Sequence, residues 1–190
     1  EKSRTFHENK HFYSKNKTTL IYNGYGDKTY YPSIYLNLNF RKKNKINKSD
    51  IILGFAGRYA KQKNIHSMLI AFSKITKDYN NVYLYMVGKD ISVTNIELNT
   101  LILDLKIKHK VKILKEQKNL IEFYNGIDLL ILTSHSESFP NVVAESMLCS
   151  TPVLSSNAGC SKKIINDCGF VIMKNDYLSI INGFKKSLNI

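Results

Sequence analysis

Short runs of apolar residues, each followed by a segment with helical period, recur along the chain and leave few folds open to it. The runs "IILGFAG" (51–57), "VYLYMVG" (82–88), "VKILK" (111–115), "LLILTS" (129–134), "PVLSS" (152–156) and "GFVIM" (169–173) read as strands, and an earlier "TLIYNG" (19–24) reads as a seventh. Several are apolar on both faces, as a strand covered by helices on each side must be. Between them the period changes. Ile65, Met68, Leu69, Phe72 and Ile75 fall at three- and four-residue steps, and Ile96 with Leu101, Ile102 and Leu105 makes a second such stripe. Further helices are expected at 119–125, 141–149, 161–166 and 177–189. Strands alternating with helices of this length need crossover connections, which build a parallel sheet with helices on both faces. The expected fold class is α/β, a Rossmann-like parallel sheet flanked by helices.

The segment "NLNFRKKNKINKSD" (37–50) is polar, basic and weakly periodic, and reads as a surface loop. Residues 1–17 have no regular pattern and read as an N-terminal arm or interdomain remnant, which leaves 18–190 as a single domain long enough to bury a full core. No apolar run approaches the roughly 20 residues that cross a bilayer. The opening "EKSRTFHENKHFYSKNK" lacks the apolar core of a signal peptide, so a cytoplasmic location is expected. Cys149, Cys160 and Cys168 form no C-x-x-C pair, and the histidines form no ligand pair, so neither a disulfide framework nor a metal site is expected. With 28 Lys and Arg against 15 acids the net charge is +13, which attracts phosphates, acidic membrane surfaces or anionic substrates. Lysines scattered through a Lys-, Asn- and Ile-rich chain produce the same charge without a dedicated site.

Ligands of open α/β sheets bind beyond the carboxyl ends of the strands, so the loops that follow strands are where chemistry is sought. After "IILGFAG", Gly57 permits a sharp turn, Arg58 offers a planar fork of donors, Lys63 a point charge, and the following helix start its free amides. Together they suit a phosphate or pyrophosphate, although an ordinary basic loop has the same residues, and the Gly-Lys-Ser/Thr ending of a Walker loop is missing. After "LLILTS" comes "ESFPNVVAES" (137–146). Pro140 and Asn141 suit the first turn of a helix with Ser138 or Phe139 near its cap, leaving the amides of Phe139, Asn141 and Val142 free for an anion. Glu137 precedes the turn, and Glu145 lies about 6 Å along the helix axis from Asn141. A carboxylate inside the helix can accept two hydrogen bonds from a vicinal diol such as ribose, while one on the loop can meet a different sugar. On spacing alone, two solvated surface glutamates are the simpler account. In "PVLSSNAGCSKK", Gly159 suits either close approach of a ligand or a plain turn.

The order and spacing of "IYNGYGD", "GFAGRYAKQKN", "MVGKD", "KVKILK" and "GIDLLILTSHSESFPNVVAESMLCSTPVLSSNAG" resemble the C-terminal half of the group 1 glycosyltransferases of the GT-B fold, the retaining family four. The likeness runs over about residues 20 to 175. It implies a nucleotide-diphosphate sugar as the shared ligand of these loops. By that analogy Arg58 and Lys63, on the loop that Gly57 opens, hold the diphosphate. The backbone from Phe139 through Asn141 to Val142 binds the sugar or distal phosphate, Glu145 the ribose hydroxyls, and Glu137, the catalytic position, the transferred sugar beside its anomeric carbon. The Arg-Lys clamp and the helix end would stabilise the departing diphosphate with no metal and no further cofactor. Four positions depart from the family pattern: Ser138 and Asn64 stand where glycines are usual, Cys160 replaces the second of a Gly-Gly pair, and Lys163 occupies a place that tends to be glutamate.

The resemblance further implies an N-terminal acceptor domain that these residues do not include, so 18–190 reads as a donor-binding half that is inactive alone. A glycan or lipid-linked acceptor and peripheral association with an anionic membrane, at its inner face, are the partners it implies, with no nucleic acid. Three rivals remain. An NAD-binding reading rests on "GYG" at 24–26 and fails because Thr29 takes the third glycine's place. A glycosidase would use Glu137 and Glu145 as acid and base roughly 5 to 10 Å apart. A basic nucleic-acid-binding module without catalysis would use the interleaved tyrosines and lysines of "YNGYGDKTYYPSIYLNLNFRKK".

Overall fold

Six of the seven apolar runs become strands because they can be buried on both faces at once. A computed structural model of the chain describes residues 21–26, 28–173 and 176–188, with Thr5, residues 8–10, Ser14, Lys17 and Thr19. The strands are β1 (Ile51–Ala56), β2 (Val82–Val87), β3 (Val111–Ile113), β4 (Leu129–Leu132), β5 (Val153–Ser156) and β6 (Phe170–Ile172), in the order β3-β2-β1-β4-β5-β6. Every pairing is parallel, with Ile51 opposite Val82, Leu53 opposite Leu129, Leu130 opposite Val153 and Leu154 opposite Phe170. The helices are α1 (Ile34–Lys43), α2 (Ile65–Asp78), α3 (Ile96–Asp104), α4 (Ile121–Gly126), α5 (Asn141–Leu148), α6 (Ser161–Ile165) and α7 (Tyr177–Leu188).

Successive strand residues point to opposite faces and so feed two separate cores. On one face Leu53, Phe55, Leu84 and Met86 pack with Met68, Leu69 and Phe72 of α2 and Phe184 of α7. On the other, Ile52, Leu130 and Leu132 pack with Phe123 and Tyr124 of α4 and Val143 of α5. Ile65, Met68, Leu69, Phe72 and Ile75, the stripe expected for α2, are all buried, each contributing about 1.5–3 kcal/mol over an exposed position.

Two expectations fail. The run "TLIYNG" is not a strand: Ile21 is 85% exposed and residues 21–26 follow an irregular path towards the start of α5, where the Asn23 side-chain amide donates to Asn141 Oδ1 at 2.8 Å. The segment 37–50 is not all loop, since α1 runs through it to Lys43. Ser33 caps α1 by accepting from the Leu36 amide at 3.3 Å, and Phe40 anchors it against Gly126 of α4, where an added Cβ would stand 2.1 Å from the Phe40 ring. Asn37 reinforces the docking by donating to the Asn125 carbonyl at 2.7 Å. One buried aromatic and a set of amides hold this helix, so its inward face carries no apolar period to read. The arm read over 1–17 lies for the most part outside the described residues.

Candidate functional site

Strand order reverses between β1 and β4, and the loops leaving these neighbours open the crevice that such a reversal creates. The two loops are stitched together. The His135 amide donates to the Gln62 carbonyl at 2.8 Å, the Gln62 side chain donates to the Ser136 carbonyl, and Thr133 Oγ1 donates to the Lys63 carbonyl at 2.9 Å. The Lys61–Lys63 turn ends at Asn64, buried and left-handed at φ 52°, a conformation open to glycine and asparagine, which explains why asparagine serves where the family has glycine.

This stitching carries Lys63 across to Glu137. Lys63 Nζ lies 2.6 Å from Glu137 Oε1, with the two side chains only 15% and 11% exposed. Ser134 Oγ donates to the same oxygen at 2.6 Å, and Ser156 of β5 donates to the Ser134 carbonyl at 2.6 Å, which ties the carboxylate's support to the next strand. Gly159 resolves the two readings given to it: at φ +57° an added Cβ would sit 2.3 Å from the Glu137 carbonyl oxygen, so it lets the chain pass closely against the Glu137 loop.

The start of α5 differs slightly from expectation, because Pro140 and not Ser138 or Phe139 occupies the cap, with no side-chain cap bond. The Val143 amide bonds the Pro140 carbonyl at 3.0 Å, while the amides of Asn141 and Val142 belong to the first turn and have no partner inside the helix. The Phe139 ring stacks on Tyr25 at 6.4 Å between centroids.

Glu145 lies further along α5, half-buried, and accepts from Tyr124 Oη at 2.7 Å. Tyr30 packs edge-on against Tyr124 at 5.9 Å, and Tyr25 packs against Tyr30 at 6.4 Å. Burial, and after it the charge of Glu145, pushes the Tyr25 phenol up to about 12 and raises those of Tyr30 and Tyr124. Three protonated phenols therefore surround one carboxylate. The Tyr25 hydroxyl is buried and has no hydrogen-bond partner among the described residues.

Gly57 and Gly88 meet where the loops after β1 and β2 touch. Gly88 has φ +139°, an added Cβ there would lie 2.2 Å from the Gly57 carbonyl oxygen, and the Gly57 amide donates to the Val87 carbonyl at 3.0 Å. Arg58, between them, is exposed and makes no ion pair or hydrogen bond among the described residues, so the structure does not draw it to either glutamate. Beyond β2 and β3 a cavity of about 330 Å³ is lined by Gly88, Asp90, Ser92, Leu114, Lys115 and Glu116. Lys163 donates to Tyr22 Oη at 2.9 Å and lies 4.3 Å from the centre of its ring, so this departure engages the irregular segment ahead of α1. Among the described residues no three His, Cys, Asp or Glu side chains cluster as metal ligands.

Gly57, Lys63, Glu137, Phe139, Asn141 and Val142 thus lie on the loops after β1 and β4 and at the start of α5, with Glu145 one turn further along that helix. Sequence reasoning missed Tyr25, Tyr30, Tyr124 and Ser134. Tyr25 carried one signal, since it stands inside the Asn-Gly turn of "IYNGYGD".

Residues 37–189 match the model of the family described as Glycosyl transferases group 1. The chain belongs to this family. The capsular polysaccharide biosynthesis glycosyltransferase CapM of Staphylococcus aureus is 26% identical over 179 residues, covering 92% of this chain and 47% of its own length. Among solved structures, WaaG, a glycosyltransferase involved in lipopolysaccharide biosynthesis, superposes with a TM-score of 0.87 at 19% identity, over 100% of this chain and 52% of WaaG. Anabaena HepE in complex with UDP-glucose superposes with a TM-score of 0.81 at 23% identity, over 92% of this chain and 49% of HepE. The chain spans about half the length of these relatives. Its fold is one half, the C-terminal one, of the GT-B glycosyltransferase architecture.

Proposed function

We propose that this domain binds the nucleotide-diphosphate-sugar donor of a retaining glycosyltransferase in the crevice between the β1 and β4 loops. The observation that carries the reading is the convergence of Lys63 and Glu137, residues 74 apart in sequence, at 2.6 Å on that crevice. An ammonium has three N–H donors, so Lys63 can hold Glu137 and still direct others at a diphosphate. Arg58, exposed at the same loop, supplies a second cation, and the amides of Phe139, Asn141 and Val142 with the positive end of α5 supply neutral donors.

When the bond from the anomeric carbon to the leaving oxygen breaks, negative charge collects on the diphosphate. Lys63, Arg58 and the helix end stabilise it there without a metal. Glu137 accepts from hydroxyls of the transferred sugar beside the reacting carbon. Glu145, oriented by Tyr124, accepts from the ribose hydroxyls, and the cavity beyond β2 and β3 takes the base. The complex of HepE with UDP-glucose supports a sugar nucleotide as the ligand class. The acceptor, a glycan or lipid-linked sugar, would come from the half of the enzyme outside this chain, so the domain alone transfers nothing, and peripheral association with an anionic membrane belongs to the same reading. The nucleic-acid alternative loses Tyr25 and Tyr30, whose rings turn into the cluster around Glu145, and is left with Tyr22, Tyr31 and Tyr35 as exposed rings.

A thermal-shift panel of UDP, GDP, ADP and their sugars tests the site. One nucleotide at a hundred times its Kd should stabilise the fold by about 2.7 kcal/mol, or roughly 5–11 °C at this size. The shift should disappear in Glu145→Ala and shrink in Arg58→Ala. Indifference to every nucleotide, or equal shifts in the variants, would overturn the assignment, and sugar transfer by this chain alone would overturn its inactivity.

A further inference from the structure

Helix α1 presents apolar side chains to solvent on the face opposite its buried anchor. Phe40, Leu36 and Asn37 face α4 and the sheet, whereas Ile34 is 80% exposed, Tyr35 76% and Leu38 62%, with Tyr31 just ahead at 46%. At 100° per residue Ile34, Tyr35 and Leu38 share one side of α1 and Lys42 continues it, with Tyr31 just ahead of the helix and Lys45 and Lys48 just after it. Large apolar side chains gathered on one exposed helix face mark an interaction site.

The charge around it identifies the partner. Lys42, Lys45 and Lys48 are exposed and have no ion pair among the described residues. The nearby carboxylates are already engaged, Asp128 by Arg41 at 3.2 Å and Glu122 by Lys43 at 3.8 Å. Apolar side chains on a helix face, with free lysines at its end and just beyond, match the boundary of an anionic bilayer, where acyl chains receive the former and headgroups the latter. The aliphatic residues Ile34 and Leu38 at the centre of the cluster offer no stacking to nucleic-acid bases.

We propose that the outward face of α1 docks this domain on an anionic lipid surface. Just ahead of α1, Tyr30 packs its ring on Tyr124, the partner of Glu145, so the helix is tied to the body that carries the proposed donor site. Docking there would hold the domain at the bilayer, where a lipid-linked acceptor resides. This deepens the membrane association proposed above and does not depend on the donor chemistry.

Vesicle co-sedimentation with the 190-residue chain tests it, using phosphatidylglycerol–phosphatidylcholine vesicles against pure phosphatidylcholine. Binding is expected to the anionic vesicles, weakening with salt. It should fall at least about tenfold in Ile34→Ser/Leu38→Ser and by about tenfold or more in Lys42→Gln/Lys45→Gln. All four positions are exposed, so both variants should keep the wild-type melting temperature and the nucleotide-induced shift. Equal binding by wild type and Ile34→Ser/Leu38→Ser, or no binding to anionic vesicles, would overturn the proposal while the thermal-shift result leaves the donor site standing. A concentration-dependent dimer abolished by Ile34→Ser/Leu38→Ser would assign the face to a second copy. A single-stranded oligonucleotide that competes with vesicles and is insensitive to Ile34→Ser/Leu38→Ser would assign it to nucleic acid.

Discussion

Removing the Lys63 ammonium should cost more stability than removing the Glu137 charge, and removing both should cost less than the sum. In Lys63→Met, Glu137 keeps its carboxylate at a site 11% exposed, with the Ser134 hydroxyl still donating to it. Breaking a fully buried pair costs about 3–5 kcal/mol, and the residual exposure of both groups brings this to roughly 2–3 kcal/mol. Glu137→Gln keeps the volume and an oxygen for Ser134 and Lys63, so its loss should be about 1–2 kcal/mol. Lys63→Met/Glu137→Gln removes both charges and should lie near the milder single variant, a coupling of about 2 kcal/mol. Urea unfolding followed by circular dichroism measures all four corners. The Lys63→Met melting temperature should drop by about 5–10 °C. Effects that add within about 0.5 kcal/mol would refute the reasoning, because water would then be screening the pair. The same proteins separate the proposed roles. Lys63→Met should weaken nucleoside diphosphate and sugar nucleotide alike, whereas Glu137→Gln should erase only the extra affinity that the sugar confers.

Further perturbations follow from the geometry. Tyr25, raised to about 12, and Tyr30 and Tyr124, also raised, stay protonated in the fold after the unfolded chain begins to ionise near 10. Their stabilisation is therefore intact below pH 10 and declines as pH climbs towards 12, and Cys149, pushed up to about 11 by burial, starts the decline near 9. Urea midpoints measured from pH 8 to 12 should hold to about 9 and fall above it, and Tyr25→Phe should flatten the fall above 10; a pH-independent midpoint would contradict the cluster. Gly159→Ala places a Cβ 2.3 Å from the Glu137 carbonyl at φ +57°, so it should lose at least about 1–2 kcal/mol and the nucleotide-induced shift with it, as unfolding and thermal-shift curves will show. Phe40→Ala removes the ring wedged against Gly126 and should cost about 3–5 kcal/mol; a loss under 1 kcal/mol would mean α1 is not anchored there.

The alternation of apolar runs was enough to place β1 to β6, because a strand buried on both faces needs an uninterrupted apolar stretch and little else satisfies one. Helix α1 escaped the same reasoning because its attachment is chemical where that of α2 is periodic: Ser33, Asn37 and Asn125 exchange hydrogen bonds, and Phe40 alone enters the core. The tyrosine cluster was hidden for a different reason. Tyr30 and Tyr124 are 94 positions apart and meet only after the sheet has formed, so no local window contains the contact. "TLIYNG" has strand composition, yet its described residues cross the head of α5, where Asn23 and Tyr25 meet Asn141 and Phe139.

The two basic residues chosen from one loop came out differently, and the reason is instructive for the chemistry. Arg58 follows Gly57, whose backbone is committed to the β2 side through Val87, and its guanidinium is left in solvent. Lys63 is fixed from the opposite side, since its own carbonyl receives Thr133, the residue just beyond β4 and four before Glu137. The strand that delivers the carboxylate therefore also sets the position of the ammonium that neutralises it. On the proposed function, a ligand entering the crevice would meet a cation whose place is settled before binding, and ordering of the second cation would be left to the ligand itself. Lys63→Met should then abolish diphosphate binding where Arg58→Ala only weakens it, and isothermal titration showing the reverse order would undo this account of how the loop is divided.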